Sequence, residues 1–144
     1  MGRAGAKPSG LGSAGVAAPA ILIVDDDEAF RCYLSDVCRE AGLVAVHVGS
    51  LAGVPALLAE HEFASLLVQL WMPGTDALEF IRGVRERWPR VAIVAMTPFA
   101  SLEAAQRALA AGASEYVTKA IDPEDMLRRI DRAIGQSRSA GKSG

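Results

Sequence analysis

Residues 20–28, AILIVDDDE, run from five apolar side chains straight into four acids with no glycine or proline between them. A short run that is apolar at every position suits a strand covered on both faces, and such strands belong to parallel sheets. The change to carboxylates marks the strand's carboxyl end, where a helix must begin in order to carry the chain back.

Four more short runs follow: Val44–Val48, Ala64–Leu70, Val91–Met96 and Glu115–Val117. Segments with helical periodicity separate them, and this alternation is the pattern of an α/β domain on a parallel sheet. The first, third and fourth runs are apolar almost throughout and read as central strands, whereas the other two are shorter and mixed, as outer strands are.

Five helices follow the strands. Phe30, Tyr33, Leu34 and Val37 keep an i, i+3, i+4, i+7 stripe that Gly42 closes. Val54 to Glu60 and the Ala-rich Leu102 to Ala111 predict the second and fourth helices. Leu78, Ile81 and Val84 face the sheet from the third, which ends before Trp88-Pro89. Asp122-Pro123-Glu124-Asp125 is a helix start with acids against the dipole, followed by the stripe Leu127, Ile130, Ile134.

With 144 residues, 51% hydrophobic and 22% charged, the chain has room for one globular domain. Its longest apolar run, Ala14 to Val24, falls short of the roughly 18 residues of a membrane helix and contains Gly15 and Pro19, so no span is expected. Arg3 and Lys7 ahead of that run imitate a signal peptide, but the run is better used as the first strand, and a cytoplasmic protein is expected. Residues 1–19, rich in Gly, Ala and Ser, read as a disordered arm, residues 20–135 as the domain, and residues 136–144 as a flexible tail.

The two tails hold Arg3, Lys7, Arg138 and Lys142 and no acid, so the net charge of −2 leaves −6 on residues 20–135. An acidic body repels phosphate backbones, and nucleic-acid binding is not expected. Cys32 and Cys38, six apart on one helix, sit about 240° apart around its axis and cannot pair, so both read as reduced core residues.

Unusual polar residues fall at the strand ends, the edge where ligands bind in such sheets. Asp25 and Asp26 close the first strand, Gln69 lies near the end of the third, Thr97 closes the fourth and Lys119 follows the fifth. Taken singly each has a plain reading: the acids cap a helix, Lys119 is a surface lysine, Thr97 precedes a turn. Jointly, with the loop Trp71-Met72-Pro73-Gly74-Thr75-Asp76, they predict one pocket.

The stretches ILIVDDDE, LLVQLWMPGTDALEF, AIVAMT and AGASEYVTK resemble the receiver domain of bacterial two-component response regulators, over about residues 20–135. The resemblance implies a flavodoxin-like (βα)5 doubly wound sheet of order 2-1-3-4-5. In that family an aspartate at the end of strand three attacks a phosphohistidine, with magnesium held between it and an acidic pair. By resemblance Asp25 and Asp26 are the pair and the metal ligands, Thr97 reads the phosphoryl group, Lys119 contacts it, and Tyr116 is the aromatic whose rotamer responds.

The acceptor position holds Gln69. An amide is uncharged, a very poor nucleophile and one methylene longer than aspartate, so no acyl phosphate is expected there. The pocket's formal charge with Lys119 falls from −2 to −1, and magnesium binding is expected to be weak or absent, with no cofactor required. Ala120 stands where the family has a cis proline, which would cost a non-proline residue about 3–4 kcal/mol, so a trans bond is expected. Ala77 replaces a common glycine, which predicts an altered or strained turn.

These features predict a degenerate receiver, not an enzyme, that signals through protein contacts with a kinase or output protein. The alternative keeps phosphoryl transfer with Mg2+ by moving the acceptor to Asp25 or Asp26. A small-ligand site in the same crevice is a third reading, though no glycine-rich phosphate loop is present. The face of the fourth helix, fifth strand and fifth helix is the expected partner or homodimer surface, with Glu103, Gln106, Arg107, Arg128, Arg129 and Asp131 supplying mixed charge. Trp71 reads as packed on Met72 or the fourth helix, with an exposed partner-binding ring as the other outcome, and Trp88 as helix-end packing.

Overall fold

The computed structural model describes residues 18–99 and 101–143; the expected arm lies, up to residue 17, outside them. The chain alternates β1 (Ala20–Val24), α1 (Glu28–Glu40), β2 (Val44–Val48), α2 (Val54–Glu60), β3 (Ser65–Gln69), α3 (Ala77–Arg87), β4 (Ala92–Thr97), α4 (Leu102–Ala111), β5 (Glu115–Thr118) and α5 (Pro123–Ser143). All neighbours pair in parallel, in the order β2-β1-β3-β4-β5. This is the doubly wound arrangement expected. The third strand is one residue shorter at each end than the apolar run, and the fourth is displaced by one, so it includes Thr97.

Local chemistry starts and stops the helices where the sequence says it should. Asp27 caps α1 by accepting from the Phe30 amide at 3.2 Å, Asp76 caps α3 through Glu79, and Ser101 caps α4 through Ala104. Gly112, at φ +124°, ends α4 in a backbone region that L side chains rarely adopt. A Cβ there would also lie 2.9 Å from Arg85 Cβ. Arg85 ties this corner together, donating to the carbonyls of Gly112, Pro89 and Val91 and to Ser114 Oγ.

Because successive strand residues point to opposite faces, each strand feeds two cores. Ile21, Ile23, Leu67, Val94 and Met96 pack with Leu34 and Cys38 of α1 and Met126 and Ile130 of α5. Leu22, Val24, Val68 and Ala95 pack with Val54, Leu58, Ile81 and Ala108 of α2, α3 and α4. The outer edge of β2 carries exposed Val44 and Val46, and Arg39 donates to the Ala45 carbonyl there at 2.9 Å.

Several expectations need correction. α5 continues to Ser143, through the segment read as a flexible tail, because Gln136, Arg138, Ala140 and Lys142 favour helix and no proline interrupts them. Cys32 is exposed and only Cys38 is buried. Ala77 is the first residue of α3 and buried, in a helical backbone that needs no glycine, so the turn is not strained there. Trp71 is 63% exposed instead of packed. Trp88 does pack at its helix end, with the Arg87 guanidinium 4.4 Å from its ring. Every described peptide bond is trans, Lys119–Ala120 included.

Candidate functional site

The two-residue alternation decides which polar residues meet. Asp25 and Gln69 continue the faces of Ile23 and Leu67, and Lys119 that of Val117, so all three belong to the α1–α5 side of the sheet. Thr97 continues the face of Ala95 and belongs to the α4 side. Of the five residues expected in one pocket, Asp25, Gln69 and Lys119 share one face of the sheet.

Lys119 follows β5 and Asp25 follows β1, with the ends of β4 and β3 between them. Strands about 4.8 Å apart leave a span that both side chains must reach into. They do: Lys119 Nζ lies 2.6 Å from Asp25 Oδ2, with the lysine side chain 13% exposed and the aspartate fully buried. The other carboxylate oxygen, Oδ1, accepts from the Asp27 amide at 2.9 Å. Gln69 ends β3, the neighbour of β1 in the sheet; it is 5% exposed, and its Oε1 has no hydrogen-bond partner among the described residues.

Phe30 belongs to the site although its place in the helix stripe marked it as core alone. Its ring lies 4.4 Å from Lys119 Nζ, so the ammonium sits between a carboxylate and a π face. The available signal was its position one turn into the helix that follows Asp25. Arg31 supports the same loop, donating to the Asp25 carbonyl at 2.8 Å and to His47 Nδ1 at 3.2 Å.

Asp26, next in the chain, is exposed. No group of three or more His, Cys, Asp or Glu among the described residues could hold a metal ion. Magnesium wants oxygen ligands in near-octahedral geometry, and Asp25 spends both oxygens on Lys119 and Asp27. As arranged, these residues do not fit the ion without displacing Lys119.

Thr97 is fully buried; its Oγ accepts from the Phe99 amide at 3.3 Å, and its carbonyl accepts from the Lys119 amide at 2.8 Å. Tyr116 donates its hydroxyl to the Phe99 carbonyl at 3.1 Å. The β4–α4 loop is therefore held by the two residues expected to form a switch.

The charges expected on one interaction face divide between two. Arg128 pairs with Asp125, Arg129 with Glu115, and Arg132 also grips Glu115, whose hydrogen bond and then charge raise the Arg132 pKa further. These, with exposed Asp131, lie on or beside β5 and α5. Glu103 and Arg107 pair with each other at 2.7 Å on the flank of α4 that faces α3. The stripe of α4 that carries Leu102 (76% exposed) and Leu109 (50% exposed) lies at least about 100° round the helix from them, and the sequence reading did not identify it.

Comparison with known proteins agrees with this architecture. Residues 21–131 match the family model described as response regulator receiver domain. The response regulator protein FleR of Pseudomonas aeruginosa is 31% identical over 117 residues, covering 81% of this chain and 25% of that protein. The DNA-binding transcriptional regulator NtrC of Escherichia coli is 32% identical over 114 residues, covering 79% and 24%. The chain thus spans about a quarter of the length of these relatives. Among solved structures, a CheY-like receiver domain protein from Methanospirillum hungatei superposes with TM-score 0.79 at 24% identity, over 86% of this chain and 99% of that one. The beryllofluoride-activated NtrC4 receiver domain dimer gives 0.77 at 27% identity, over 82% and 98%.

Proposed function

This chain belongs to the response regulator receiver domain family, and from that premise we propose that it works in two-component signalling without accepting a phosphoryl group. Receiver domains are signalling modules that meet kinases and output domains. The observation that carries the reading is Gln69, buried at the end of β3, the strand next to β1, while Lys119 and Asp25 are already joined in an ion pair. A carboxamide offers no acyl phosphate chemistry, and the lysine holds the carboxylate that magnesium would need. The pocket then has one arrangement, and any switching is set by what binds the surface.

The docking face in this reading is the α4–β5–α5 side, where α4 exposes Leu102 and Leu109 and α5 carries Arg129 and Asp131. Tyr116 lies in β5 and holds the loop before α4, so a partner seated there acts on the same hydroxyl contact. No described helix is long and apolar enough to cross a membrane.

Acetyl phosphate with magnesium, followed by intact mass, tests the proposal: the expected spectrum shows the unmodified chain, and a phosphoryl adduct refutes it. One observation favours a second reading, in which the acceptor moves to Asp26 with Mg2+, since that carboxylate is exposed. Asp25, buried with both oxygens engaged, is the poorer nucleophile of the two. Mapping an adduct by fragmentation assigns it to one residue.

A further inference from the structure

We propose that the cleft between the β3–α3 loop, α3 and α4 takes an arginine side chain presented by an exposed segment of a partner protein. The cleft has a volume of about 490 Å³, within the range of pockets that enclose a side chain or small ligand. Leu70, Met72, Leu78 and Ala104 give it apolar walls, and Trp71, 63% exposed, stands among them. An indole face is the best aromatic surface for a cation, and a planar guanidinium stacks on it as well as being drawn by its ring charge. The fold uses this contact twice within itself: Arg87 lies 4.4 Å from the Trp88 ring, and Lys119 lies 4.4 Å from that of Phe30. Trp71 has no such cation among the described residues.

The charges of the lining set the sign of the occupant. Two acids, Asp76 and Glu103, stand against Arg107 alone, which leaves the cleft one negative charge on a domain that is acidic as a whole. Glu103 pairs with Arg107 at 2.7 Å, but both side chains are well exposed, and a pair of that kind contributes little. The acid in excess is Asp76. Its Oδ1 caps α3 through the Glu79 amide at 3.1 Å, and no basic group among the described residues pairs with it. A guanidinium meets two carboxylates and one indole face, a set that suits a planar cation with several donors better than a compact ammonium. The apolar walls cover the arginine's methylene stem. Leu102, 76% exposed between the lining residues Ser101 and Glu103, offers contact to an apolar neighbour of that arginine, which favours a peptide over a free guanidino compound. Residue 69 is not part of this lining, and the proposal does not depend on whether the chain accepts a phosphoryl group.

NMR titration of the nitrogen-15-labelled 144-residue chain with acetyl-leucyl-arginyl-leucine amide tests it, without any phosphoryl donor. The Trp71 indole signal, assigned by its loss in Trp71→Leu, is expected to shift saturably with half-saturation at about 1 mM or below, while that of Trp88 stays in place. The same peptide with citrulline, which keeps the shape and removes the charge, or with lysine or glutamate, is expected to bind about fivefold or more weakly. Followed on the Ser101 and Ala104 amides, Trp71→Leu weakens binding about fivefold or more, and Asp76→Asn and Glu103→Gln about twofold to fivefold each. Asparagine caps a helix as well as aspartate does, so Asp76→Asn reports the charge and not the fold. Arg107→Gln tightens binding, because it removes the competing base. No saturable shift up to about 10 mM, equal binding of any of the three control peptides, binding that survives Trp71→Leu, indifference to both acid substitutions, or an Arg107→Gln that weakens binding overturns the proposal.

Discussion

Replacing Lys119 with methionine keeps most of the side chain's volume and removes its charge, leaving Asp25 buried with no counter-ion. At 2.6 Å and an effective dielectric constant near 20, the attraction lost is about 6 kcal/mol before desolvation is subtracted. Removing one partner of a buried pair costs about 3–5 kcal/mol, and Asp25 is short and fully enclosed, so Lys119→Met should reach about 3–4 kcal/mol. Asp25→Asn should cost less, about 1–2 kcal/mol, because the longer lysine is already partly exposed and swings its ammonium toward water. The double variant pairs two neutral groups and should resemble Asp25→Asn, which makes the coupling energy equal to the Lys119→Met loss, about 3–4 kcal/mol. Urea unfolding followed by circular dichroism measures all four corners of the cycle, provided the m-values agree. Equal losses in the two single variants, or a loss below about 1 kcal/mol for Lys119→Met, refute a buried, mutually dependent pair.

Other consequences can be checked separately. Gln69→Asp shortens the side chain by one methylene and restores a carboxylate at the end of β3; it should gain magnesium-dependent labelling by acetyl phosphate, and failure to do so places the defect elsewhere in the pocket. Arg85→Met removes the donor of hydrogen bonds to three carbonyls and Ser114 from a half-buried position, and should cost about 2–4 kcal/mol in chemical denaturation. Gly112→Ala, strained by its φ of +124° and a 2.9 Å approach to Arg85 Cβ, should lose about 1–3 kcal/mol, and a neutral result contradicts that geometry. Burial pushes the Cys38 thiol up to about 11 from 9.0, against the smaller opposing pull of Arg39. Its folded value lies above its unfolded one, so this contribution is complete below pH 9 and is lost between pH 9 and about 11, amounting to about 2–3 kcal/mol. Cys38→Ala should flatten that part of the alkaline stability curve, and an unchanged slope removes the thiol as its cause.

Much of the fold was legible because its signals are local. The apolar runs sit almost residue for residue on the strands, since a strand buried on both faces tolerates little else. Asp76 and the Leu102 to Ala111 helix likewise carry their own start and stop chemistry. The pocket was half legible. Strand ends gave the right edge of the sheet for Asp25, Gln69 and Lys119, but grouping Thr97 with them ignored the alternation that turns it toward α4. Phe30 was missed because a residue on a core-facing stripe gives no sign that a lysine three strands along the sheet from β1 will reach its ring. Cys32 was misplaced because cysteine is usually buried, a statistical habit with no force at a position on the solvent side of α1. The last turns of α5 escaped notice because glycine and serine suggest fraying, whereas a helix already anchored through Ile130 and Ala133 is cheap to continue.

The guanidinium of Arg39, resting on the Ala45 carbonyl at the rim of the sheet, has a meaning for how this molecule behaves in a crowded cell. An uncovered last strand with valines beside it is a template on which other chains polymerise, and one positively charged plug on a free rung blunts that growth at almost no thermodynamic cost. Survival as a dissolved, recyclable molecule would then hinge on a side chain remote from any pocket, and Arg39→Leu should turn clear solutions cloudy long before it lowers the melting temperature.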